Sequence, residues 1–430
     1  MADKLRVLSV CTSDNSGGAA LAAYRIHQAV CELGVDSRML VKHKGTKDPA
    51  VLPLDAFLPH NAFYKGLNWV RNKVKNKWQH YQWDKYPGRQ DFFLSDLRST
   101  DIGNALKKID YDILHLHWIN LRFLPLDKLP KDKPIVWTLH DSWPFCGVCH
   151  VPLDCTGYLR DCGHCPQLGS ETSEDLSHTV WTKKRSRYAG LDLHIVAPSH
   201  WMAACARRSS LLGDRDIRVI PNCIDTDVFS PGDRNEACAR LGLDPGKRYI
   251  LFGAKSALKD PNKGARILWD ALFLIAPEFG GDTELILLGA NDTGDMQVPG
   301  LPIRCLGTIR DPQAMANAYR AASVTVVPSL SENLSCTIME SLSCGTPVTA
   351  FAIGGNGDMI EHKTNGYLAR GKDARDLADG IRWCLSQDKE VLANAARTTV
   401  LDRYMPEAIG QLYLETYQAL VNNRLSCFPT

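Results

Sequence analysis

The chain of 430 residues is too long for one ordinary hydrophobic core and fits two domains. With 44% hydrophobic and 23% charged residues, it has the composition of a globular protein. A formal net charge of +2 gives no strong nucleic-acid signature, and no apolar run reaches the ~18 residues of a membrane span. The first residues run straight into a strand-like segment without a signal-peptide pattern, so we expect a cytoplasmic protein.

Short apolar segments alternate with helical stretches along the chain. The predicted strands form two sets, the first being Arg6–Cys11, Arg38–Lys42, Ile113–His117, Ile135–Leu139 and His194–Ala197, and the second Arg218–Ile220, Tyr249–Gly253, Glu284–Leu288, Ile303–Leu306, Val324–Val327 and Val348–Phe351. Such Val/Ile/Leu-rich strands, alternating with helices, indicate parallel sheets that are buried on both faces. We therefore predict an α/β fold of two doubly wound domains, residues 1–205 and 206–405, with ligands at the carboxyl ends of the strands in the cleft between the domains.

Two strand ends in the first predicted domain hold candidate ligand-binding residues. Gly17 and Gly18 follow the first strand and allow a tight turn with close backbone approach. His140 ends a later strand, where residues that face a ligand collect. Taken alone, the glycine pair also fits a simple turn, and a lone histidine also fits a core or surface position.

The segment Phe63–Arg89 has an unusual excess of positive charge. Seven Lys and Arg residues stand against one acid, Asp84, and apolar side chains recur at helical spacing, namely Phe63, Leu67, Val70, Val74, Trp78 and Tyr81. We predict a helix that lies on an anionic membrane surface, with Lys73, Lys75 and Lys77 near the lipid headgroups. The alternative is that the apolar stripe packs on the domain core.

Five of the fifteen cysteines lie close together in one Gly- and Pro-rich loop. Their spacing is Cys146-x2-Cys149-x5-Cys155-x6-Cys162-x2-Cys165, and the other ten are scattered as core-type residues. Four thiolates in a short loop suit a closed, tetrahedral structural zinc site. Buried free thiols or a redox pair are the alternatives.

The stretch from Ser331 to Val348 predicts a phosphate-binding helix start. It follows an apolar strand, and Ser331 is placed to cap a helix whose first backbone N–H groups, from Asn333 to Thr337, face an anion. Glu332 would precede this helix and Glu340 would lie about two turns inside it, so one carboxylate can face a sugar and the other a ribose. The alternative is an ordinary capped helix.

Two further segments complete the pattern of elements. Asp225-Thr226-Asp227 spells Asp-x-Asp, a known metal-binding signature, but its position after Pro221-Asn222 favours a turn. At the end, the amphipathic stretch Pro406–Val421 repeats Ile409, Leu412, Thr416 and Leu420 at helical spacing. We expect this helix to cross back onto the first domain.

Taken together, these segments resemble the retaining glycosyltransferases of family 4, whose fold is called GT-B. The resemblance rests on the Ser331–Val348 stretch, on Gly17-Gly18-Ala19-Ala20, on the strand end Trp137-Thr138-Leu139-His140-Asp141, and on Pro221-Asn222-Cys223-Ile224-Asp225 with Phe229. The most similar subset makes exopolysaccharides such as colanic acid. Two departures are Cys223, where the family commonly has glycine, and the missing arginine after Gly253.

The resemblance implies a set of site residues. His140 and Glu332 would be catalytic, and the donor would be bound by Gly17, Gly18, Lys255, Lys263, Asn333, Leu334, Ser335 and Glu340. Lys255 is placed here because a second cation is needed where the arginine is missing, whereas Lys259 fits a solvated loop charge. The structural zinc ligands would be Cys149, Cys155, Cys162 and Cys165, with Cys146 as the spare.

The resemblance also implies the reaction. A UDP- or GDP-sugar would give its sugar, with retention of configuration and without a catalytic metal, to a lipid-linked glycan acceptor of a bacterial surface polysaccharide. The enzyme would then be peripheral at the inner face of the plasma membrane.

Two other kinds of protein are alternatives to a glycosyltransferase. Another nucleotide-sugar-binding enzyme, such as an epimerase, would bind the same donor, and a phosphorylase would need a pyridoxal phosphate lysine that no segment marks. A zinc-containing nucleic-acid-binding protein with a basic helix fits poorly, because the chain is a long α/β protein with almost balanced charge.

Overall fold

The structure, a computed structural model, describes residues 4–59, 62–91, 94–95, 102–120, 123–253, 258–279, 281–293 and 296–427. Two compact units are formed. The N-terminal unit runs to Ile220 and takes in the chain again from Ile409 onward, and the C-terminal unit is Pro221–Ala408.

The N-terminal unit is built on a parallel sheet of seven strands in the order β3-β2-β1-β4-β5-β6-β7. The strands are β1 (Arg6–Ser13), β2 (Asp36–His43), β3 (Val51–Pro53), β4 (Ile113–Leu116), β5 (Ile135–Thr138), β6 (Leu193–Ala197) and β7 (Ile217–Val219). The helices are α1 (Gly18–Glu32), α2 (Ala62–Trp83), α3 (Gly103–Lys108), α4 (Leu176–Tyr188) and α5 (His200–Arg208). Apolar side chains such as Leu8, Leu114 and Trp137 are completely buried, as expected for central strands that are covered on both faces.

The C-terminal unit has a parallel sheet of six strands in the order β10-β9-β8-β11-β12-β13. The strands are β8 (Arg248–Gly253), β9 (Thr283–Leu288), β10 (Ile303–Gly307), β11 (Val324–Val327), β12 (Val348–Phe351) and β13 (Gly366–Ala369). The helices are α6 (Arg234–Leu241), α7 (Ala265–Ile275), α8 (Pro312–Ala321), α9 (Cys336–Ser343), α10 (Asn356–Met359), α11 (Ala374–Ser386) and α12 (Lys389–Arg403). The last helix, α13 (Pro406–Cys427), starts here and continues in the N-terminal unit.

Both sheets reverse their strand order at one point. In the N-terminal unit β1 lies beside β4, and in the C-terminal unit β8 lies beside β11. The loops that leave these neighbouring strands diverge to opposite faces, which opens a crevice at the carboxyl ends of the strands. The predicted α/β fold of two doubly wound domains is therefore confirmed, and each unit has one crevice in which a ligand is expected.

The segment Arg218–Ile220 was predicted to open the second sheet, and this assignment is wrong. The strand β7 instead closes the edge of the first sheet, where Ile195 pairs with Ile217 and Ala197 with Val219. Residue 205, the predicted junction, lies inside α5, and the N-terminal unit continues as far as Ile220. Consecutive strands of an α/β fold usually lie beside each other, and β7 accordingly pairs with β6, the strand that precedes it.

The predicted return of the last helix to the N-terminal unit is found, although with a different buried face. Ile409 and Thr416 are buried as expected, but Leu412 is 41% exposed, and Tyr413 and Tyr417 are fully buried in its place. The tyrosines lie inward because their hydroxyl groups find buried hydrogen-bond partners on β4 and β5.

Candidate functional site

The loops that follow β8 and β11 bring two predicted site residues together. The Lys263 Nζ lies 2.7 Å from Glu332 Oε1, and both side chains are largely but not fully buried. The charge of Glu332 raises the pKa of Lys263, so the lysine is a cation at neutral pH. This ion pair stands at the crevice where the strand order reverses.

The loop around Lys263 is fastened to the loop after β11. Asn262 Nδ2 donates to the carbonyl oxygen of Ser331 at 2.9 Å, and the backbone N–H of Leu330 donates to the carbonyl of Asn262 at 2.8 Å. Gly264 has φ +66°, and a Cβ atom there would lie 1.9 Å from the carbonyl oxygen of Pro328. Only glycine permits this close approach, which sets the position of Lys263.

A second glycine holds Glu332 from the other side. Gly354 has φ +54°, and a Cβ atom at this residue would lie 1.8 Å from the Glu332 carbonyl oxygen. The same carbonyl accepts a hydrogen bond from the Gly355 N–H at 3.2 Å. The backbone of Glu332 is thus fixed between two loops, and its carboxylate stays beside Lys263.

The helix after Glu332 begins later than predicted. Ser335 is the N-cap of α9, and Cys336 is its first residue, so the predicted cap at Ser331 is wrong. The carbonyl group of Ser331 is instead taken by Asn262. Asn333 and Leu334 lie in the loop before the helix, and the first-turn N–H groups are those that follow Ser335.

Glu340 lies about one turn inside α9, not two, and is only 7% exposed. Its Oε2 accepts a hydrogen bond of 3.0 Å from the Tyr319 hydroxyl group, at the end of α8. Burial, together with the Glu340 carboxylate, raises the pKa of Tyr319 well above its usual value, so the phenol keeps its proton. Sequence reasoning missed Tyr319, because no local pattern links it to a helix some twenty residues later.

Lys255, the predicted second cation, lies outside the described residues.

The Asp225-Thr226-Asp227 segment forms the expected turn, in which Asp225 Oδ1 accepts from the backbone N–H groups of Asp227 and Val228, both at 3.0 Å.

In the N-terminal unit, Gly17 and Gly18 form the turn from β1 into α1. Gly17 is the N-cap residue of α1, with φ +94° and ψ 163°, which is a conformation open to glycine alone. A Cβ atom at Gly17 would meet nothing within 4 Å, so the backbone angle, and not crowding, requires glycine. The turn is steadied by Asp14, which accepts hydrogen bonds from the backbone of Gly45 and Thr46.

His140 lies after β5 and is one of three neighbouring histidines. Its Nε2 is 3.0 Å from Nδ1 of His117, which follows β4, and the two rings are stacked. The ring of His115 lies against that of His117, and the two centroids are 4.0 Å apart. Burial lowers the pKa of His140 to about 4 and of His115 to about 3, and it also lowers the pKa of His117 well below its usual value. All three rings are therefore neutral at neutral pH.

The returning helix α13 supports this histidine group. The Tyr417 hydroxyl lies 2.7 Å from His115 Nδ1, and His115 Nε2 lies 2.8 Å from Thr138 Oγ1. Thr138 Oγ1 is in turn 3.0 Å from the Tyr413 hydroxyl. The only sequence signal for Tyr413 and Tyr417 is their four-residue spacing in α13, the helix that was predicted to cross back onto the first domain.

The five clustered cysteines, Cys146, Cys149, Cys155, Cys162 and Cys165, line one small cavity. Burial raises the pKa of Cys162 and of Cys165 to about 12. No group of three or more His, Cys, Asp or Glu side chains in the described part of the chain is arranged to hold a metal ion. The zinc site therefore stays a prediction.

A buried lysine fastens this cysteine loop to α4. Lys184 is 1% exposed, and its Nζ donates to the carbonyl oxygens of Trp143, Cys146 and Gly147. Asp175, the N-cap of α4, accepts from the N–H of Cys165 at 2.9 Å. The loop is thus held by hydrogen bonds to one helix, whatever its thiols bind.

The basic segment forms α2, and its apolar stripe faces outward. Exposure ranges from 42% to 65% for Leu67, Trp69, Val70, Val74, Trp78 and Tyr81, while the side chains of Phe63 and Lys65 lie outside the described residues. The helix is anchored at its end by Trp83, which packs against Val148 and Leu168. The alternative, that the stripe packs on the core, does not hold for the described side chains. Among the residues that the structure places, no helix is both long and apolar enough to cross a membrane.

Comparison with known proteins places both units in glycosyltransferase families. Residues 16–228 match the model of Glycosyltransferase Family 4, and residues 248–387 match that of glycosyl transferases group 1. One relative is the D-inositol 3-phosphate glycosyltransferase of Nocardiopsis dassonvillei, which is 39% identical over 177 residues, or 38% of this chain and 41% of that protein. The chain therefore matches less than half the length of this curated relative.

Solved structures share the fold over nearly the whole chain. The sucrose-phosphate synthase of Thermosynechococcus elongatus has a TM-score of 0.65 and 19% identity, covering 98% of this chain and all of that one. HepE of Anabaena, solved in complex with UDP-glucose, has a TM-score of 0.60 and 18% identity, covering 96% of this chain and all of that one. The chain therefore belongs to the GT-B glycosyltransferases, with a family 4 domain at residues 16–228 and a group 1 domain at residues 248–387.

Proposed function

We propose that this chain is a glycosyltransferase that takes its sugar from a nucleoside-diphosphate sugar held by the C-terminal unit. The observation that supports this most is the ion pair of Lys263 with Glu332, a glutamate that stands just before α9 in the sequence, as the buried Glu340 stands inside it. A cation, a set of helix-start N–H groups and two carboxylates are what a diphosphate joined to two sugars requires. The HepE complex with UDP-glucose shows that this fold accommodates such a donor.

Each donor-site residue has a distinct role in this proposal. Lys263 and the first N–H groups of α9 bind the pyrophosphate and stabilise the charge on the leaving diphosphate. Glu332 binds hydroxyl groups of the donor sugar, and Glu340 accepts hydrogen bonds from the ribose. Lys263 is held in place by Glu332 before the donor arrives, so little reorganisation is needed on binding.

The reaction proposed is a transfer with retention of configuration. The bond from the anomeric carbon to the diphosphate oxygen breaks, and the acceptor hydroxyl oxygen forms its bond on the same face of the sugar. The hydroxyl proton passes to the departing diphosphate oxygen. Lys263 and the helix start supply the positive charge that a divalent cation would otherwise supply, so turnover is proposed to need no catalytic metal.

The acceptor proposed is a lipid-linked glycan of a bacterial surface polysaccharide. It is supported by α2, where exposed Trp69, Val74 and Tyr81 share a helix with lysines that attract anionic lipid headgroups. The chain would then work at the inner face of the plasma membrane. A second candidate acceptor is an inositol phosphate, because the relative from Nocardiopsis dassonvillei is named for that substrate.

A structural zinc ion is also proposed for the cysteine cavity, with Cys149, Cys155, Cys162 and Cys165 as its ligands. The support is chemical, since several buried thiols around one cavity are stable when a soft metal binds them as thiolates. Zinc bound there would stiffen the loop that α4 already holds through Asp175 and Lys184.

A donor screen tests the central proposal. The purified chain would be incubated with UDP-, GDP- and ADP-sugars, with and without lipid-linked glycans or inositol phosphates, while free nucleoside diphosphate is measured. We expect one donor class to be consumed, faster with one acceptor, and NMR of the product to show a retained anomeric configuration. Consumption of none of these donors, or an inverted product, would contradict the proposal.

A further inference from the structure

We infer that His117 is a positioning residue which fixes the proton of His140 on Nδ1, so that His140 offers its substrate a neutral N–H donor and does not act as a base through Nε2. This inference rests on the proposed function only in giving His140 a substrate. The arrangement of protons itself follows from the structure.

The rings of His117 and His140 are in direct contact. His117 Nδ1 and His140 Nε2 lie 3.0 Å apart, which is hydrogen-bond distance between two nitrogens that can each either donate or accept. Their rings stack at 24° with centroids 5.3 Å apart. A single proton therefore lies between the two nitrogens when both rings are neutral.

Neither of the two rings carries a positive charge at neutral pH. Burial keeps both imidazoles neutral, and the nearby His115 disfavours a positive charge on His117 further. The proton between the rings then belongs either to His117 Nδ1 or to His140 Nε2. Each choice fixes the tautomer of both rings, because a neutral imidazole has one N–H group and one lone pair.

The surroundings of His117 Nε2 decide between these two positions of the proton. His117 is 2% exposed, and its Nε2 is buried without a hydrogen-bond partner among the described residues. His115, whose ring centroid is 4.0 Å from that of His117, already bonds Tyr417 and Thr138 with its two nitrogens. A proton on His117 Nε2 would be a buried donor without an acceptor, which is rarer than a buried acceptor without a donor. The proton of His117 is therefore on Nδ1 and points to His140.

The consequence falls on His140, which is partly exposed. Its Nε2 lone pair is occupied by the His117 N–H group, so its own proton is on Nδ1. A neutral N–H group is suited to hold a sugar oxygen in place, and its strength as a donor changes little over the neutral pH range. His140 thus positions and polarises a substrate oxygen instead of removing a proton from it.

Nuclear magnetic resonance tests the tautomer directly. In the full chain labelled with ¹⁵N-histidine, two-bond ¹H–¹⁵N correlations distinguish a protonated Nδ1 from a protonated Nε2, and a His140→Gln variant assigns the signals. We expect His140 to have a protonated Nδ1 at pH 7. A protonated Nε2 on His140 would overturn the inference, whether or not the chain transfers sugar.

A shape-matched pair of variants tests the role of the bond. In His117→Asn the side-chain amide can still donate to His140 Nε2, whereas His117→Leu has a similar size and no donor. With the donor class found in the screen, we expect His117→Asn to keep kcat within about 3-fold and His117→Leu to lower kcat about 10-fold or more, with little change in KM. The proton of His140 should stay on Nδ1 in the asparagine variant and move to Nε2 in the leucine variant.

Equal kcat values for His117→Leu and the wild type, with an unchanged tautomer, would refute the positioning role. If the leucine variant does not fold, the wild-type spectrum alone decides the inference. If no form of the chain transfers sugar, the proposed function is contradicted, but the NMR spectrum of the wild type still tests the tautomer of His140.

Discussion

At the scale of single residues, the charge of Lys263 is balanced by Glu332 at 2.7 Å. An ammonium group has three N–H donors, so a pyrophosphate would share Lys263 with Glu332 and gain a charge-assisted hydrogen bond from it. The pair is therefore a site prepared for an anion, and its raised lysine pKa ensures that the cation is present throughout the neutral range.

The Lys263→Met variant should bind the donor nucleotide about 10- to 100-fold more weakly, since it loses a charge-assisted hydrogen bond worth about 1.5–3 kcal/mol. Isothermal titration of the nucleoside diphosphate measures the change. Lys247→Met is the matched control, because Lys247 forms an ion pair with Glu284 in the same unit. Equal losses in both variants would show that removing any lysine ion pair of this unit has the same effect.

The three neighbouring histidines predict how stability depends on pH. The pKa in the folded chain is about 3 for His115 and about 4 for His140, and the pKa of His117 is also well below the ordinary value of 6.5. Below pH 6.5 the unfolded chain binds protons at these positions that the folded chain does not bind, so lowering the pH favours unfolding. The contribution of these neutral histidines to the free energy of unfolding is fully present above pH 6.5 and falls as the pH drops toward 4.

Urea unfolding between pH 7.5 and pH 5 measures this effect while the carboxyl groups stay mostly ionised. We expect the free energy of unfolding to fall by at most about 1.4 kcal/mol per pH unit for each histidine, and to fall less steeply in His115→Gln. A free energy that stays constant over this range, or that rises as the pH is lowered, would show that these rings are not kept neutral by burial.

Much of the site at this scale follows from motifs in the sequence, and the remainder depends on contacts between distant residues. Glu332, Glu340 and Lys263 are marked by short patterns, because a helix start and its flanking loop are local features. Tyr319 and His117 were not predicted as site residues, since each matters through one contact with a residue 21 or 23 positions away. Such contacts are set by how strands and helices pair, which local spacing does not specify.

At the scale of elements, α2 presents an apolar stripe to the surroundings instead of to the core. Trp69 is 65% exposed, and the Lys73 ammonium lies over its ring at 5.1 Å, while Lys85 lies over Tyr81 at 4.5 Å. Exposed aromatic rings that are bordered by lysines suit the headgroup region of an anionic membrane.

Liposome co-sedimentation tests this element. The wild type should bind vesicles that contain anionic lipid and not neutral vesicles, because each lysine contributes about 1 kcal/mol near an anionic surface. Reversal of Lys73, Lys75 and Lys77 to Glu should abolish binding, whereas the same reversal of the exposed Lys107, Lys108 and Lys131 in this unit should not. Absence of binding by the wild type at low salt would eliminate the membrane proposal.

The cysteine loop is the second element with a direct test. Metal analysis of protein purified without added metal should find about one zinc per chain, and the double variant Cys162→Ser, Cys165→Ser should lose it. Cys305→Ser, in the other unit, is the control. If no zinc is found and all five clustered thiols react with a thiol reagent in the folded chain, the zinc proposal fails.

Strands were predicted well where they are fully apolar and buried, and less well where they are short and partly exposed. The strands β3 and β13 were not predicted, because a proline ends the first, a glycine begins the second, and both are only partly buried. The equally short strands β11 and β12 are fully buried and were predicted. The start of α9 was placed too early because Ser331 and Ser335 both fit a helix cap. The structure shows that the Ser331 carbonyl oxygen accepts a hydrogen bond from Asn262, so Ser331 belongs to the loop before the helix.

At the scale of the whole molecule, both units place their candidate residues by the same rule. In the N-terminal unit, Gly17 lies after β1 and His117 after β4. In the C-terminal unit, Lys263 lies in the loop after β8 and Glu332 in the loop after β11. In each unit these two strands are the neighbours at which the sheet reverses its strand order. This placement follows from the doubly wound topology, which the alternation of strands and helices predicts from sequence. The detail that needed the structure is which strand belongs to which sheet, as β7 shows.

The central claim is that the C-terminal unit binds a nucleoside diphosphate through α9, and one titration tests it most directly. UDP, GDP and ADP would be titrated into the wild type, into Glu340→Gln and into the control Glu236→Gln, whose exposed carboxylate pairs with Arg240. We expect one diphosphate to bind the wild type and the control equally, and to bind Glu340→Gln about 30-fold more weakly, which corresponds to about 2 kcal/mol. Unchanged affinity in Glu340→Gln, or binding of none of the three nucleotides by the wild type, would contradict the account.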